Sequence, residues 1–150
     1  MSENSNLLAS QKAILAGVVD PDVLTAGTHD SGWVSLSDFE QIQAIIFAGT
    51  LGASGTVDAK LEQATDAAGT GVKDITGKAI TQLTQAGGDS DKQAIINCRS
   101  EELDVENSFT HVRLRITVAA ASCDGGAVVL GHAARYQVAD DLASVAEVIA

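Results

Sequence analysis

Aromatic side chains are scarce in this sequence: Trp33, Phe39, Phe47, Phe109 and Tyr136 are the whole set. That scarcity argues against a deep small-molecule pocket, whose walls are usually aromatic. Positive charge is scarce too, with nine Lys and Arg against twenty Asp and Glu and a formal net charge of −11. Direct nucleic-acid binding needs clustered Lys and Arg to meet phosphates, so none is expected. An anionic membrane surface is disfavoured for the same reason. Cys98 and Cys123 are the only cysteines. Two thiols in a chain this long make neither a disulfide framework nor a zinc motif, and both are expected to pack as small apolar residues. No apolar run approaches the roughly 20 residues a membrane span requires. The first residues carry Glu3 and no basic segment of the secretory kind, so a soluble protein assembled in the cytoplasm is expected.

What is present is aliphatic. The 45% hydrophobic share comes mostly from Ala, Val, Ile and Leu, and 150 residues suffice for one packed core. Small and β-branched residues suit a pleated sheet. The period from Trp33 onward is mostly two. Ile42, Ala44, Ile46 and Ala48 share one face of a first run, and Val57, Ala59 and Leu61 alternate with Thr56, Asp58, Lys60 and Glu62 in a second. Ile95, Ile96 and Cys98 mark a third. Over 109–118, Val112, Leu114, Ile116 and Val118 face one way; over 127–136, Val128, Leu130, His132, Ala134 and Tyr136 do. Residues 75–83 suit either a strand or a short helix.

Glycine-containing connectors at 49–55, 66–71, 87–91 and 122–126 separate these runs. The pattern predicts a mainly β fold, an antiparallel β-sandwich of jelly-roll type, over 29–138. The runs at 109–118 and 127–136 are expected to form a hairpin through 122–126. Residues 1–28 read as an N-terminal arm broken at Asp20-Pro21-Asp22, and 139–150 as a C-terminal tail in a short helix or arm. Their apolar residues, Leu7, Leu8, Ile14, Leu15, Leu142, Val145 and Ile149, are candidate subunit contacts.

Motifs that would carry chemistry are weak. The stretch 71–79 has the wrong glycine spacing for a phosphate loop and Ala79 where a Mg²⁺-binding hydroxyl should stand. His29-Asp30-Ser31 places triad-type residues side by side, where they rarely converge on one substrate, and no nucleophile elbow accompanies them. His111 and His132 alone make a poor metal set. The acids from Asp89 to Glu106 lack a calcium-loop pattern and read as a charged sheet edge. No catalytic residue, cofactor or metal is therefore expected, and the chain is read as a non-enzyme. Its negative charge fits either a solubilising, self-repelling surface or an acidic face that meets a basic partner, and the sequence leaves both open.

A set of residues carries a resemblance: Asp30-Ser31-Gly32-Trp33-Val34, Ile45-Ile46, Ala48-Gly49, Lys60 to Asp66, Lys73 to Gly77, Leu103-Asp104-Val105 and Ala133 to Tyr136. Over 31–138 the chain resembles small virion proteins encoded beside the major capsid gene of tailed bacteriophages and related gene-transfer particles. The resemblance implies a decoration (cement) protein on the outside of the capsid, bound to the major capsid protein, self-associating as a trimer, and assembled in a bacterial host cytoplasm. Relatives of that make-up also occupy the head-to-tail junction or the tail. A receptor- or carbohydrate-binding sandwich would need more exposed aromatics, and a small hydrolase a recognisable nucleophile and base.

Overall fold

The computed structural model describes residues 6–136 and 139–150. A single helical turn, Ala9–Lys12, leads into ten strands: β1 (Ala13–Leu24), β2 (Gly27–Asp30), β3 (Val34–Ser35), β4 (Phe39–Leu51), β5 (Thr56–Ala64), β6 (Lys73–Ala79), β7 (Leu83–Thr84), β8 (Gln93–Arg99), β9 (His111–Ala119) and β10 (Cys123–Ala134). Strands account for 54% of the described residues, which makes the fold mainly β. One sheet runs β1-β10-β4-β8 and the other β2-β9-β5-β6, with β3 on β9 and β7 on β5. Every pairing is antiparallel.

That order has a simple logic. Setting aside the two-residue strands β3 and β7, the first strand pairs with the last, the second with the next to last, and so inward to β5 and β6. This is one long antiparallel ribbon, closed by the β5–β6 pair and rolled so that its other successive strands fall in opposite sheets, the topology of a jelly roll.

Alternation explains the core. Ile42, Ala44 and Ile46 of β4 oppose Val57, Ala59 and Leu61 of β5 and Val112, Leu114, Ile116 and Val118 of β9, all buried. Burying each of the larger aliphatics contributes about 1.5–3 kcal/mol relative to exposure. Cys98 and Cys123 lie in the same interior, both reduced. Burial pushes the Cys98 thiol up to about 11. Gly131 of β10 leaves room for the buried Phe39 ring; a Cβ there would sit 2.6 Å from the ring atoms.

Several expectations need correction. Residues 13–28 of the expected arm are not loose: β1 is a full member of the first sheet, paired with β10 from Ala13 to Leu24, and β2 begins at Gly27; residues 1–5 lie outside the described residues. The Asp20-Pro21 segment that looked like a break is a bulge within β1, between Val19 and Asp22. β1 is an edge strand, where a proline without an N–H costs no ladder bond.

The expected hairpin of 109–118 with 127–136 does not form. Both runs are strands, but β9 and β10 belong to different sheets. The chain crosses between sheets at Ala120, which adopts a left-handed φ of 66°. The inward face of β10 is also the opposite one, with Ala127, Val129 and Gly131 buried and Val128, Leu130 and His132 pointing outward. Residues 75–83 resolve into the end of β6, a connector and the start of β7. Of the segment 122–126, expected as a turn, residues 123–126 are part of β10.

The tail is not helical. The Leu15 amide donates to Asp141 Oδ1 at 2.7 Å, and the Leu142 amide donates to the Leu15 carbonyl at 3.0 Å. These bonds satisfy the outer edge of β1, which competes with a helix too short to hold itself.

Candidate functional site

The two outer faces of the sandwich differ sharply in chemistry. On the sheet containing β9 the outward residues are charged. Arg115 grips Asp30 through two bonds of 2.8 Å, from Nε to Oδ1 and from Nη2 to Oδ2. Arg113 reaches Glu62 Oε2 at 2.8 Å and Asp30 Oδ2 at 3.3 Å, and its guanidinium lies 4.6 Å from the Trp33 ring centroid. Lys60 joins Asp74 at 2.7 Å and Glu62 at 3.5 Å. Three acids and three bases thus neutralise one another. The Arg115 fork holds the Asp30 carboxyl below its ordinary range, against the opposing effect of burial.

At the neighbouring edge the acids after β8 tie the two sheets together. Glu102 pairs with Lys78 of β6 at 2.9 Å, and Asp104 with Lys73. Asp89 pairs with Lys92 at 2.8 Å. The acidic run read as a solvated edge is therefore largely engaged in ion pairs.

The outer face of the other sheet carries an apolar stripe, bordered by polar residues such as Gln41, Gln43, Gln93 and Asn97. The register aligns Val18 with Val128, Val128 with Ile45, and Ile45 with Ile95, so one row of aliphatic side chains crosses all four strands. Leu15 and Leu130 pair one row away, and Phe47 lies one row away on the other side, opposite Gly126 and Gln93. Ile95 is 56% exposed, Val23 55% and Phe47 49%. Antiparallel sheets with one solvated face usually alternate cleanly, and this sheet departs from that pattern by carrying aliphatic residues on both faces.

At one end this face deepens into a concavity of about 690 Å³. Val18, Pro21 and Val23 form one wall, Phe47 the other, and Val128 lies between. Pro21 folds over the sheet because position 126 is glycine; a Cβ there would sit 2.9 Å from the Pro21 Cα. Asp22, Asp91 and Asp124 also line the hollow, and no Lys or Arg does. All three acids are exposed, and among the described residues none forms an ion pair.

The candidate contact residues are scattered. Ile14 is 2% exposed and belongs to the core, so it offers nothing to a second chain. Leu15 is half-buried on the apolar face beside the tail, and Leu142 and Val145 are half-buried. Leu7 is half-buried, Leu8 is 45% exposed and Ile149 is 79% exposed. Phe47, Ile95 and Val128 were missed as surface residues, although the sequence carried a signal. Ile45-Ile46-Phe47 and Ile95-Ile96 are consecutive apolar residues, which a strand must place on both faces.

The chemistry-bearing motifs are separated. His29 Nε2 bonds the Thr25 carbonyl at 2.8 Å, Asp30 is held by Arg115, and Ser31 Oγ accepts the Leu114 amide at 3.0 Å. The stretch 73–79 is strand β6. Among the described residues, no three of His, Cys, Asp and Glu gather in a metal-binding group, and no helix is long and apolar enough to cross a membrane.

No family model and no curated protein matches this chain. Among solved structures, the chain is similar to one from infectious bursal disease virus, Gx strain, at 14% identity and a TM-score of 0.43, with 83% of this chain covered. A chain from the Gt strain of the same virus gives 13% identity and a TM-score of 0.41, with 94% covered. The chain spans 33% and 39% of those two viral chains respectively.

Proposed function

We propose that this protein is a structural component of a virion that binds the outside of a capsid and reinforces it, with the major capsid protein as its partner. The observation that carries a binding role is the uninterrupted apolar row Val18, Val128, Ile45 and Ile95 on one outer face, set against a neutralised, ion-paired face opposite. A covered face and a solvated face are what a subunit lying flat on a larger surface needs. The resemblance over 31–138 supplies the kind of surface. Repetition over a symmetric shell lets each contact be modest and still hold, and self-association of the domain would add to that avidity. A position at the head-to-tail junction would use the same face and differ in copy number.

Co-sedimentation with capsids assembled without this chain tests the proposal. The purified domain is expected to bind them saturably, at a copy number proportional to the capsid subunits. Absence of binding counts against the proposal, and a copy number near a dozen would move the protein to the junction. The same reading holds that the chain has no turnover. Replacing His29, Ser31, His111 or His132 with Ala should change no hydrolysis of ester, glycoside or nucleotide substrates. A loss of activity in any of these variants would overturn the non-enzyme reading.

A further inference from the structure

We propose that the hollow between Pro21 and Phe47 receives a segment of a different protein in which a large apolar side chain is flanked by lysine or arginine. This rests on the binding role proposed above and names the chemistry of the partner. Three observations converge on that occupant.

The hollow is walled by Val18, Pro21, Val23, Phe47 and Val128, and about 690 Å³ is ample for one or two large side chains. Its charged lining is one-signed, since Asp22, Asp91 and Asp124 approach it and no base does. Seven of the chain's nine basic residues, Lys60, Lys73, Lys78, Lys92, Arg99, Arg113 and Arg115, are already in ion pairs elsewhere. Among the described residues, none of these exposed rim carboxylates is in an ion pair.

Charge decides among occupants. A second copy docked through the same face would bring two sets of the same three acids together, on chains that each carry a net charge of −11. The apolar end of this chain is no better, because residues 143–150 hold Glu147 and no base. A basic-flanked apolar segment fills the hollow and meets the rim with opposite charge. Of the two meanings left open for the acidic composition, a solubilising surface or a face for a basic partner, this end of the molecule supports the second.

The test uses the full chain, its Phe47→Ala variant, and a triple variant Asp22→Asn, Asp91→Asn, Asp124→Asn. All the substituted side chains are exposed, so melting temperatures should match, and matching circular dichroism establishes folded samples. Two probes are titrated at low and physiological salt. One is capsids assembled without this chain; the other is a pair of hexapeptides with Leu-Phe at the centre, flanked by two lysines or two glutamates on each side. The lysine peptide should bind the wild-type chain at least tenfold more tightly than the glutamate peptide. Either variant should lose about tenfold in affinity for capsids, and the triple variant should also lose most of the salt dependence. Capsid binding unchanged in both variants overturns this inference and leaves the virion role standing. If the wild-type chain binds no capsid, the virion role falls and the peptides alone decide. Equal or absent binding of the two peptides then overturns the inference. Self-association that Phe47→Ala abolishes would assign the hollow to a second copy and overturn it too.

Discussion

Glu62 shows how far one side chain can depart from its pattern. Alternation along β5 puts it on the outer face with Asp58 and Lys60, yet it is 5% exposed. What covers it is other charge: the guanidinium of Arg113 at 2.8 Å and that of Arg115 at 3.5 Å, with Lys60 at 3.5 Å. Removing the carboxylate leaves two half-buried guanidinium groups with Asp30 as their one remaining shared partner among the described residues. Glu62→Ala is therefore expected to destabilise the fold by about 3 kcal/mol, the lower end for breaking a buried pair, because the arginines retain some exposure. Urea unfolding measures it, and a loss below about 0.5 kcal/mol would show the network to be ornamental, as many surface ion pairs are. The outward direction of Glu62 was legible in the sequence. Its burial was not, because it depends on Arg113 and Asp30, 51 and 32 positions away in the chain.

At the scale of elements, the strands themselves were legible and their partners were not. Period-two runs such as 57–61 and 112–118 fix which residues face inward, and both became strands with those faces buried. Nothing in the alternation of β9 or β10 says which sheet each joins. Proximity in sequence suggested a hairpin, whereas rolling the ribbon puts them on opposite sides of the core. β1 was hidden for a related reason: its bulge at Asp20-Pro21 breaks the period that would have revealed it. The apolar outer row was half legible, through Ile45-Ile46-Phe47 and Ile95-Ile96, but its course across four strands exists only once the register is known.

The tail supplies the prediction at this scale. Ala139 packs on the core, and Asp141 and Leu142 bond the β1 edge at Leu15, whereas most residues beyond are exposed. Deleting 143–150 should leave the melting temperature nearly unchanged. Deleting 139–150 removes two edge hydrogen bonds and the Ala139 contact, and should cost about 1–3 kcal/mol. Equal effects from the two deletions in thermal melts would contradict this division of the tail.

For the molecule as a whole, two electrostatic effects oppose each other as pH changes. The first is global: a net charge of −11 at neutral pH repels itself, and protonating carboxylates toward the pI of about 4.4 relieves that repulsion. The second is local and has the opposite sign. Asp30, Asp66, Asp89, Glu102 and Asp104 all have folded-state pKa values below their ordinary ones. For Asp30, Asp89 and Asp104 the leading cause is a bond from Arg115, Lys92 and Lys73 respectively; for Asp66 it is Thr70, and for Glu102 the Arg99 amide. A carboxylate with a depressed folded pKa contributes stability that is complete above its unfolded value, near 4, and disappears as pH falls through the folded value. The relief of repulsion therefore sets in only as pH approaches about 5, where the first unpaired carboxylates begin to protonate ahead of these groups, whose folded values lie lower. Melting temperature should rise modestly on that approach, pass a maximum near pH 5, and fall steeply below about pH 4. Salt separates the two limbs. Physiological ionic strength screens exposed charges beyond about 8 Å, so it should flatten the rise toward pH 5. It should leave the acid-side fall largely intact, because ion pairs in contact at 2.7–2.9 Å, such as Asp30 with Arg115, are screened much less. Melting curves from pH 2 to 8 at low and physiological salt would read both limbs. A melting temperature constant from pH 5 down to pH 2 would mean that these ion pairs contribute nothing to the fold, and the neutral, bridged face would have to be explained by solvation alone.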